Sequence, residues 1–242
     1  EWINEALDTT NLDLGTGSFS LAGNRFYSSL CFQDQNANVN CDIFVISRVE
    51  EKWTEPQKLP EEISSKRYTE TQVAVGLDEK NREVIYFVSN RPEGKGGLDI
   101  WYTVYDFKKN EYKSPRNCGS KINSVGDEMT PFINPSNRKL YFSSNGHPGF
   151  GQLDVFSSLG LRSKWEEPKN LGSTINSSAD ELYYVLAPKG KTAQEHHIKE
   201  AYVKKTVNNG ETSKTNVVTL TPGEYVYFCP LNPTKEYNLT VK

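Results

Sequence analysis

Carboxylates are the side chains of this sequence best placed, by type and spacing, to do chemistry. Glu70, the pair Asp127-Glu128 and the pair Asp180-Glu181 precede apolar runs, and Asp42, Asp99 and Asp154 each open a triplet of acid, aliphatic and aromatic. Two carboxylates on one site can divide general acid and base work, as in glycoside hydrolysis. The histidines offer less. His147 sits in the loop "NGHPGF", and His196 and His197 are adjacent, so on a strand they would point to opposite faces and chelate poorly. Cys31, Cys41, Cys118 and Cys229 have no CxxC spacing, which argues against a zinc knuckle or a thioredoxin-like site. There is no GxSxG elbow, no GxxxxGK[ST] loop, no HExxH helix and no sialidase-type Asp box, and "GKGG" at 94–97 reads as a hairpin turn. These motifs lead to the expectation of no catalytic, metal-ligating or cofactor-binding residue, and of a protein that is not an enzyme.

The acids, however, recur in step with everything around them. The triplets Asp42-Ile43-Phe44, Asp99-Ile100-Trp101 and Asp154-Val155-Phe156 lie 57 and 55 residues apart. Each is followed by an aromatic (Trp53, Tyr112, Trp165), a proline (Pro56, Pro115, Pro168), one of "LPEEISS", "CGSKINS" and "LGSTINS", and then the acidic element at Glu70, Glu128 or Glu181. An acid that returns once per unit is more economically a hydrogen-bonding element between neighbouring units than a catalytic group. Asp and the Ser-Asn pair of "SSN" fall at strand ends, where short polar side chains bond loop backbone and fix a turn. The glycines between them permit the angles such a loop needs.

Within a unit the pattern predicts four strands, at "EMTPFIN", "KLYFSSN", "LDVFSSLG" and around "KWEEPKNLG", parted by turn residues and with no sustained helical period. Aromatic content of 12%, with 13 Tyr, 11 Phe and a single Met, also favours sheet. Four short antiparallel strands per unit of about 55 residues suit a β-propeller blade, whose sheet faces are buried against neighbouring blades. The expected fold is all-β: propeller repeats over 1–190, then a small β-sandwich-like segment over 191–242, where "VVTLTPGEYVYFCPLNPTKEYNLTVK" alternates like two or three strands.

Charge and hydropathy remove several partners. With 28 basic and 31 acidic residues the net charge is −3, and no run of like charge forms a footprint for nucleic acid. Apolar runs such as "VIYFV" fall short of the roughly 18 residues that span a bilayer, and the first ten residues lack the layout of a signal peptide. Cys31 and Cys41 bracket "FQDQNANVN", where the other units have short Gly-rich loops; a disulfide there would offset the entropy of the longer loop and implies an oxidising compartment. The alternative is two reduced thiols on neighbouring strands.

The pattern carried by Trp165 to Glu181 and by Asp127 to Phe156 resembles the TolB-like propeller repeat found in tandem in OmpA-family envelope proteins, over roughly residues 10–188. The tail, through Gly223, Tyr225, Tyr237, Leu239 and Val241, resembles the end of a carboxypeptidase-regulatory-like domain. The resemblance implies a periplasmic protein associated with the outer membrane. It would be a protein-protein interaction scaffold of a type IX secretion-like complex, with other envelope proteins as partners and peptidoglycan bound through a domain outside these residues. A glycan- or peptide-binding propeller is the alternative, and a propeller enzyme the third. The first unit departs from the repeat at "NLDLGTGSFS", and a fourth starts at "INSSADELYY" without finishing. Propellers close with 4 to 8 blades, so about three visible units lead to the expectation that internal segments are missing. The surfaces expected to be special lie at the first unit's long loop and at "APKGKTAQEHHIKE".

Overall fold

The computed structural model describes residues 13–33, 39–50 and 52–186. Among them every regular element is a strand and none is a helix, so the fold is all-β. The chain divides between Tyr184 and Val185, and the segment 191–242 lies outside the described residues.

Three antiparallel sheets follow one another along the chain. The first comprises β1 (Asp13–Phe19), β2 (Arg25–Gln33), β3 (Val39–Val49), β4 (Lys52–Trp53) and β5 (Gln57–Lys58). The second is built from β6 (Glu70–Leu77), β7 (Glu83–Ser89), β8 (Asp99–Asp106), β9 (Glu111–Tyr112) and β10 (Arg116–Asn117). The third has β11 (Glu128–Asn134), β12 (Lys139–Ser144), β13 (Asp154–Leu161), β14 (Lys164–Trp165) and β15 (Lys169–Asn170). Each is a meander of three full strands whose fourth position is filled by two short pieces, both paired to the third strand. The single outer strand read from "KWEEPKNLG" is therefore broken, at Glu166 to Pro168 in the third sheet. Proline lacks the N–H that a continuous ladder requires.

Alternation along the strands puts apolar groups on both faces of the middle sheet. Tyr86, Ile100 and Tyr102 point one way and pack with Leu140, Phe142 and Phe156 of the third sheet. Ile85, Phe87 and Trp101 point the other way and pack with Tyr27, Ile43 and Val45 of the first. The paired registers make Phe26, Ser28 and Phe44 the first sheet's counterparts of Ile85, Phe87 and Trp101. The leading face of each sheet thus covers the trailing face of the sheet before it.

The recurring aromatic of the outer strand serves this stacking. Trp165 packs 5.9 Å from the Tyr86 ring and Tyr112 lies 6.4 Å from Tyr27, centroid to centroid, each reaching back one sheet. Trp53, with no sheet described before it, rests on Phe19 of its own sheet at 6.2 Å. At the first interface Arg25 binds both oxygens of buried Glu83, at 3.1 and 2.9 Å, and the Tyr27 hydroxyl donates to Glu83 at 2.9 Å. At the second, the Tyr86 hydroxyl accepts from the Arg162 backbone N–H at 3.1 Å. Trp165→Ala should lower the unfolding free energy by about 3–5 kcal/mol, as for a large buried aromatic. Trp53→Ala should cost much less; urea unfolding of the two variants measures the difference.

Candidate functional site

The recurring acids sit where strands end, and their partners are fixed by local geometry. Asp99 and Asp154 are 1% exposed. Asp99 accepts backbone N–H groups of its own hairpin loop, from Lys95 and, at 3.1 Å, from Gly96, and the Asn117 amide at 2.7 Å. Asp154 repeats this with Phe150, Gly151 at 3.2 Å and Asn170 at 3.1 Å. The glycines are required by this approach: a Cβ on Gly94 would lie 2.5 Å from Asp99 Oδ2, and one on Gly149 only 1.8 Å from Asp154 Oδ2.

A second amide, six residues after the first, completes the arrangement. Asn123 Oδ1 accepts the Ile100 N–H and its Nδ2 donates to the Ile100 carbonyl, both at 2.9 Å. Asn176 treats Val155 the same way, at 2.8 and 2.9 Å. Because β10 and β15 end one residue short of Ile100 and Val155, the side-chain amide supplies the acceptor that strand backbone would have given, and adds a second donor to carbonyls that already accept from Cys118 and Leu171 N–H. These asparagines were not singled out by sequence reasoning, although their spacing in "RNCGSKIN" and "KNLGSTIN" could have shown them.

The first sheet substitutes other chemistry. Asp42 accepts from Ser64 Oγ at 3.1 Å and pairs with Lys58 Nζ at 2.8 Å, and Ser64 Oγ accepts the Ile43 N–H at 2.7 Å. Its hairpin has no Gly-rich loop. β2 and β3 instead stay paired out to Gln33 and Val39, with Cys31 opposite Cys41 and joined to it by a disulfide. The tip, 34–38, is outside the described residues, as are His196, His197, Cys229 and the stretch "APKGKTAQEHHIKE". His147 Nε2 lies 2.8 Å from the Ile122 carbonyl, and no metal-holding group occurs among the described residues.

The Glu landmark closes the linker into each new sheet. Glu128 accepts from Ser124 N–H at 2.8 Å, Ser124 Oγ at 2.6 Å and Ser144 Oγ at 2.6 Å. Glu181 accepts from the Ser177 N–H at 2.9 Å. Glu70 binds Ser65 N–H and Arg91 Nη2, each at 2.9 Å. The neighbouring aspartates reach back one sheet: Asp127 accepts the Leu98 N–H at 2.8 Å and Asp180 that of Leu153 at 3.1 Å. Burial pushes the Glu70 carboxyl up to about 6 against the opposing pull of Arg91, and raises Glu128 as well.

The irregular feature is a bulge in the first strand of each sheet, between Leu14 and Gly17, Thr71 and Ala74, and Met129 and Phe132. Within the second and third bulges Gln72 and Thr130 adopt φ of 54° and 49°, and Tyr183, two residues after Glu181, adopts 58°. Left-handed backbone costs a non-glycine residue about 1–2 kcal/mol, and such positions cluster at functional sites. Here they bring successive repeats together. Gln72 Oε1 accepts the Thr130 N–H at 2.8 Å, and Gln72 Nε2 reaches the Tyr183 hydroxyl at 3.5 Å, past an entire intervening repeat. Thr130 Oγ1 and Ser143 Oγ lie 3.0 Å apart, and Ser143 donates to the Glu181 carbonyl at 2.6 Å. Gln72 and Thr130 are buried and bonded to their neighbours, so this line of bulges is packed polar contact and not an open cleft. Sequence reasoning missed it, because Gln, Thr and Tyr share a backbone position and no side-chain type.

No protein-family model matches the chain, and no curated protein does. Among solved structures it is similar to a thermostable family-43 glycoside hydrolase, with 13% identity and a TM-score of 0.45 over 74% of this chain and 63% of that one. It is also similar to a protein of unknown function from Dyadobacter fermentans, with 10% identity and a TM-score of 0.45 over 74% of this chain and 50% of the other. A third is a puromycin-hydrolyzing peptidase of Mycobacterium tuberculosis, with 10% identity and a TM-score of 0.32 over 66% and 30%. The expectation that the chain is not an enzyme is corrected by the first of these, since a glycoside hydrolase stands among its structural neighbours. The likeness assigns no activity to this chain.

Asp99→Ala and Asp154→Ala should each lower the unfolding free energy by about 1–3 kcal/mol by orphaning loop donors, whereas exposed Lys164→Ala should stay within about 0.5 kcal/mol; thermal or denaturant unfolding compares them. For Glu70, the folded state holds its proton where the unfolded chain has released it, so stability is lost as pH rises from about 4.5 to about 6. Unfolding at the two ends of that window should show wild type losing on the order of 1–2 kcal/mol relative to Glu70→Gln. Equal pH slopes would remove Glu70 as the cause.

Proposed function

We propose that the three sheets are successive blades of a β-propeller of the TolB-like kind, and that the chain acts as a protein-interaction scaffold of the bacterial envelope. The observation that carries this reading is the leading face of the first sheet. The equivalent faces of the second and third sheets are buried against the sheet before, through Phe87 and Trp101 and through Phe142 and Phe156. On the first sheet this face presents Phe26, Phe44 and Trp53 half-buried and Phe19 at 50% exposure. Beside it, at the turns of the same sheet, Leu21 is 43% and Val49 57% exposed. A surface with the composition of a sheet-packing core calls for polypeptide. A further blade meets the face, and a partner protein meets the turns.

The reach of Gln72 to Tyr183 supports a radial arrangement, since innermost strands two repeats apart meet only when the sheets fan about an axis. The segment from Ser177 to Glu181 repeats on the third sheet the contacts that Ser124 to Glu128 make on the second, as the entry to a fourth blade requires. In this reading the protein works in the periplasm at the outer membrane, beside other components of a secretion-like complex. Peptidoglycan is held by a domain outside these residues. A glycan- or peptide-binding propeller is the second reading. The packed bulge line argues against placing its ligand there.

Photo-crosslinking residues at Phe44 and at Leu21, in the protein within its native envelope, test the proposal. Phe44 should crosslink to the protein's own chain, and Leu21 to a second polypeptide identified by mass spectrometry. Absence of any protein adduct from Leu21, together with retention of the protein on a glycan column, would replace the scaffold with the glycan-binding reading.

A further inference from the structure

A groove of about 620 Å³ opens between the second and third sheets, and its lining differs from everything else described so far. Tyr102, Leu159 and Leu161 give it an apolar side, while Arg116, Arg138, Arg162 and Lys164 bring four cations to it against one acid, Glu79. Glu79 is already paired with Arg162 at 3.1 Å. Arg116, Arg138 and Lys164 have no carboxylate partner among the described residues. Three uncompensated cations around one concavity are a local excess of positive charge in a chain whose net charge is −3.

The backbone around the groove makes this a formed site and not a chance meeting of long side chains. The backbone of both turn arginines is fixed: Arg138 N–H donates to the Asn134 carbonyl at 2.9 Å and Arg162 N–H to the Tyr86 hydroxyl at 3.1 Å, with φ of 57° and 60°. Their Cα positions are set before any ligand arrives, which reduces the ordering cost of binding. The register partner of Tyr102 is Arg116; at the same place the partner of Ser157 in the third sheet is Lys169 and that of Val45 in the first is Gln57. What gathers charge at this groove is that Arg116 of the second sheet meets Arg138 and Lys164 of the third.

We propose that this groove binds a phosphorylated ligand of about monosaccharide size. The phosphate is held by Arg116, Arg138 and Lys164, and the body of the ligand lies on Tyr102, Leu159 and Leu161. The volume falls within the range of small-ligand sites. Guanidinium forks match phosphate oxygens in pairs, and a phosphate monoester carries about −1.5 to −2 charge at neutral pH, which suits three unpaired cations better than a single carboxylate does. The inference does not depend on the scaffold reading, since it rests on one interface that is already complete.

The test is calorimetric titration of the full chain with glucose 6-phosphate, inorganic phosphate and glucose at low salt, and again at high salt. The sugar phosphate should bind most tightly, inorganic phosphate more weakly and glucose not at all, with affinity falling as salt rises. Arg138→Gln and Lys164→Gln should each weaken the sugar phosphate about tenfold, as loss of one charge-assisted hydrogen bond does, without moving the melting temperature. Co-sedimentation with phosphatidylglycerol vesicles separates sources: capture by vesicles, lost in the same variants, would support the phosphate site and assign it to a headgroup. Equal binding of glucose, affinity unchanged in the double variant, or no binding of any phosphate probe would overturn the proposal.

Discussion

The third strand of each sheet begins beyond the reach of its outer neighbour, and the rest of the repeat is arranged around satisfying its first peptide groups. The outer pieces β10 and β15 end opposite Trp101 and Phe156, so although the Ile100 and Val155 carbonyls still accept from Cys118 and Leu171 N–H at 3.1 Å, the N–H groups of Ile100 and Val155 have no strand acceptor. An unpaired buried peptide group costs as much as a lost hydrogen bond, and Asn123 and Asn176 cancel that cost by acting as a one-residue strand. Each of these amides is steadied by a second, Asn117 or Asn170, at 2.9 or 2.8 Å. The second amide in turn bonds the aspartate that organises the Gly-rich loop. The sequence landmarks are thus one connected network, and the acids within it serve as fixed acceptors.

The first repeat shows that the constraint can be met in more than one way. A hydroxyl at Ser64 takes the place of the amide and has a single proton to donate, which goes to Asp42, and Lys58 supplies the second partner of Asp42. With Asp42 engaged on that side, the hairpin is held by a longer ladder and by the Cys31–Cys41 bond. The same mechanical role falls to hydrogen bonds in two sheets and to a covalent bond in the other.

Much of this frame is legible in sequence, because side-chain identity carries it. The strands from Glu128 to Asn134, Lys139 to Ser144 and Asp154 to Leu161 coincide with runs marked by alternation and turn residues. The triplet intervals count the sheets correctly. What is hidden depends on backbone or on distant juxtaposition. Two-residue strands such as β14 and β15 are too short to show a period, the bulge at Gln72 and Thr130 is a main-chain event, and the basic groove gathers residues from 79 to 164 that no linear pattern connects.

The two faces of a sheet in this protein are not alike: one presents Trp165 or Tyr112 and the other the tyrosine that receives it. An association that repeats the contact between sheets is head-to-tail, and head-to-tail contacts either close into a ring or continue without limit. In this chain Trp53 and Phe44 form a half-buried end while Tyr141 and Val155 at the other are buried, so head-to-tail growth finds one open end and not two.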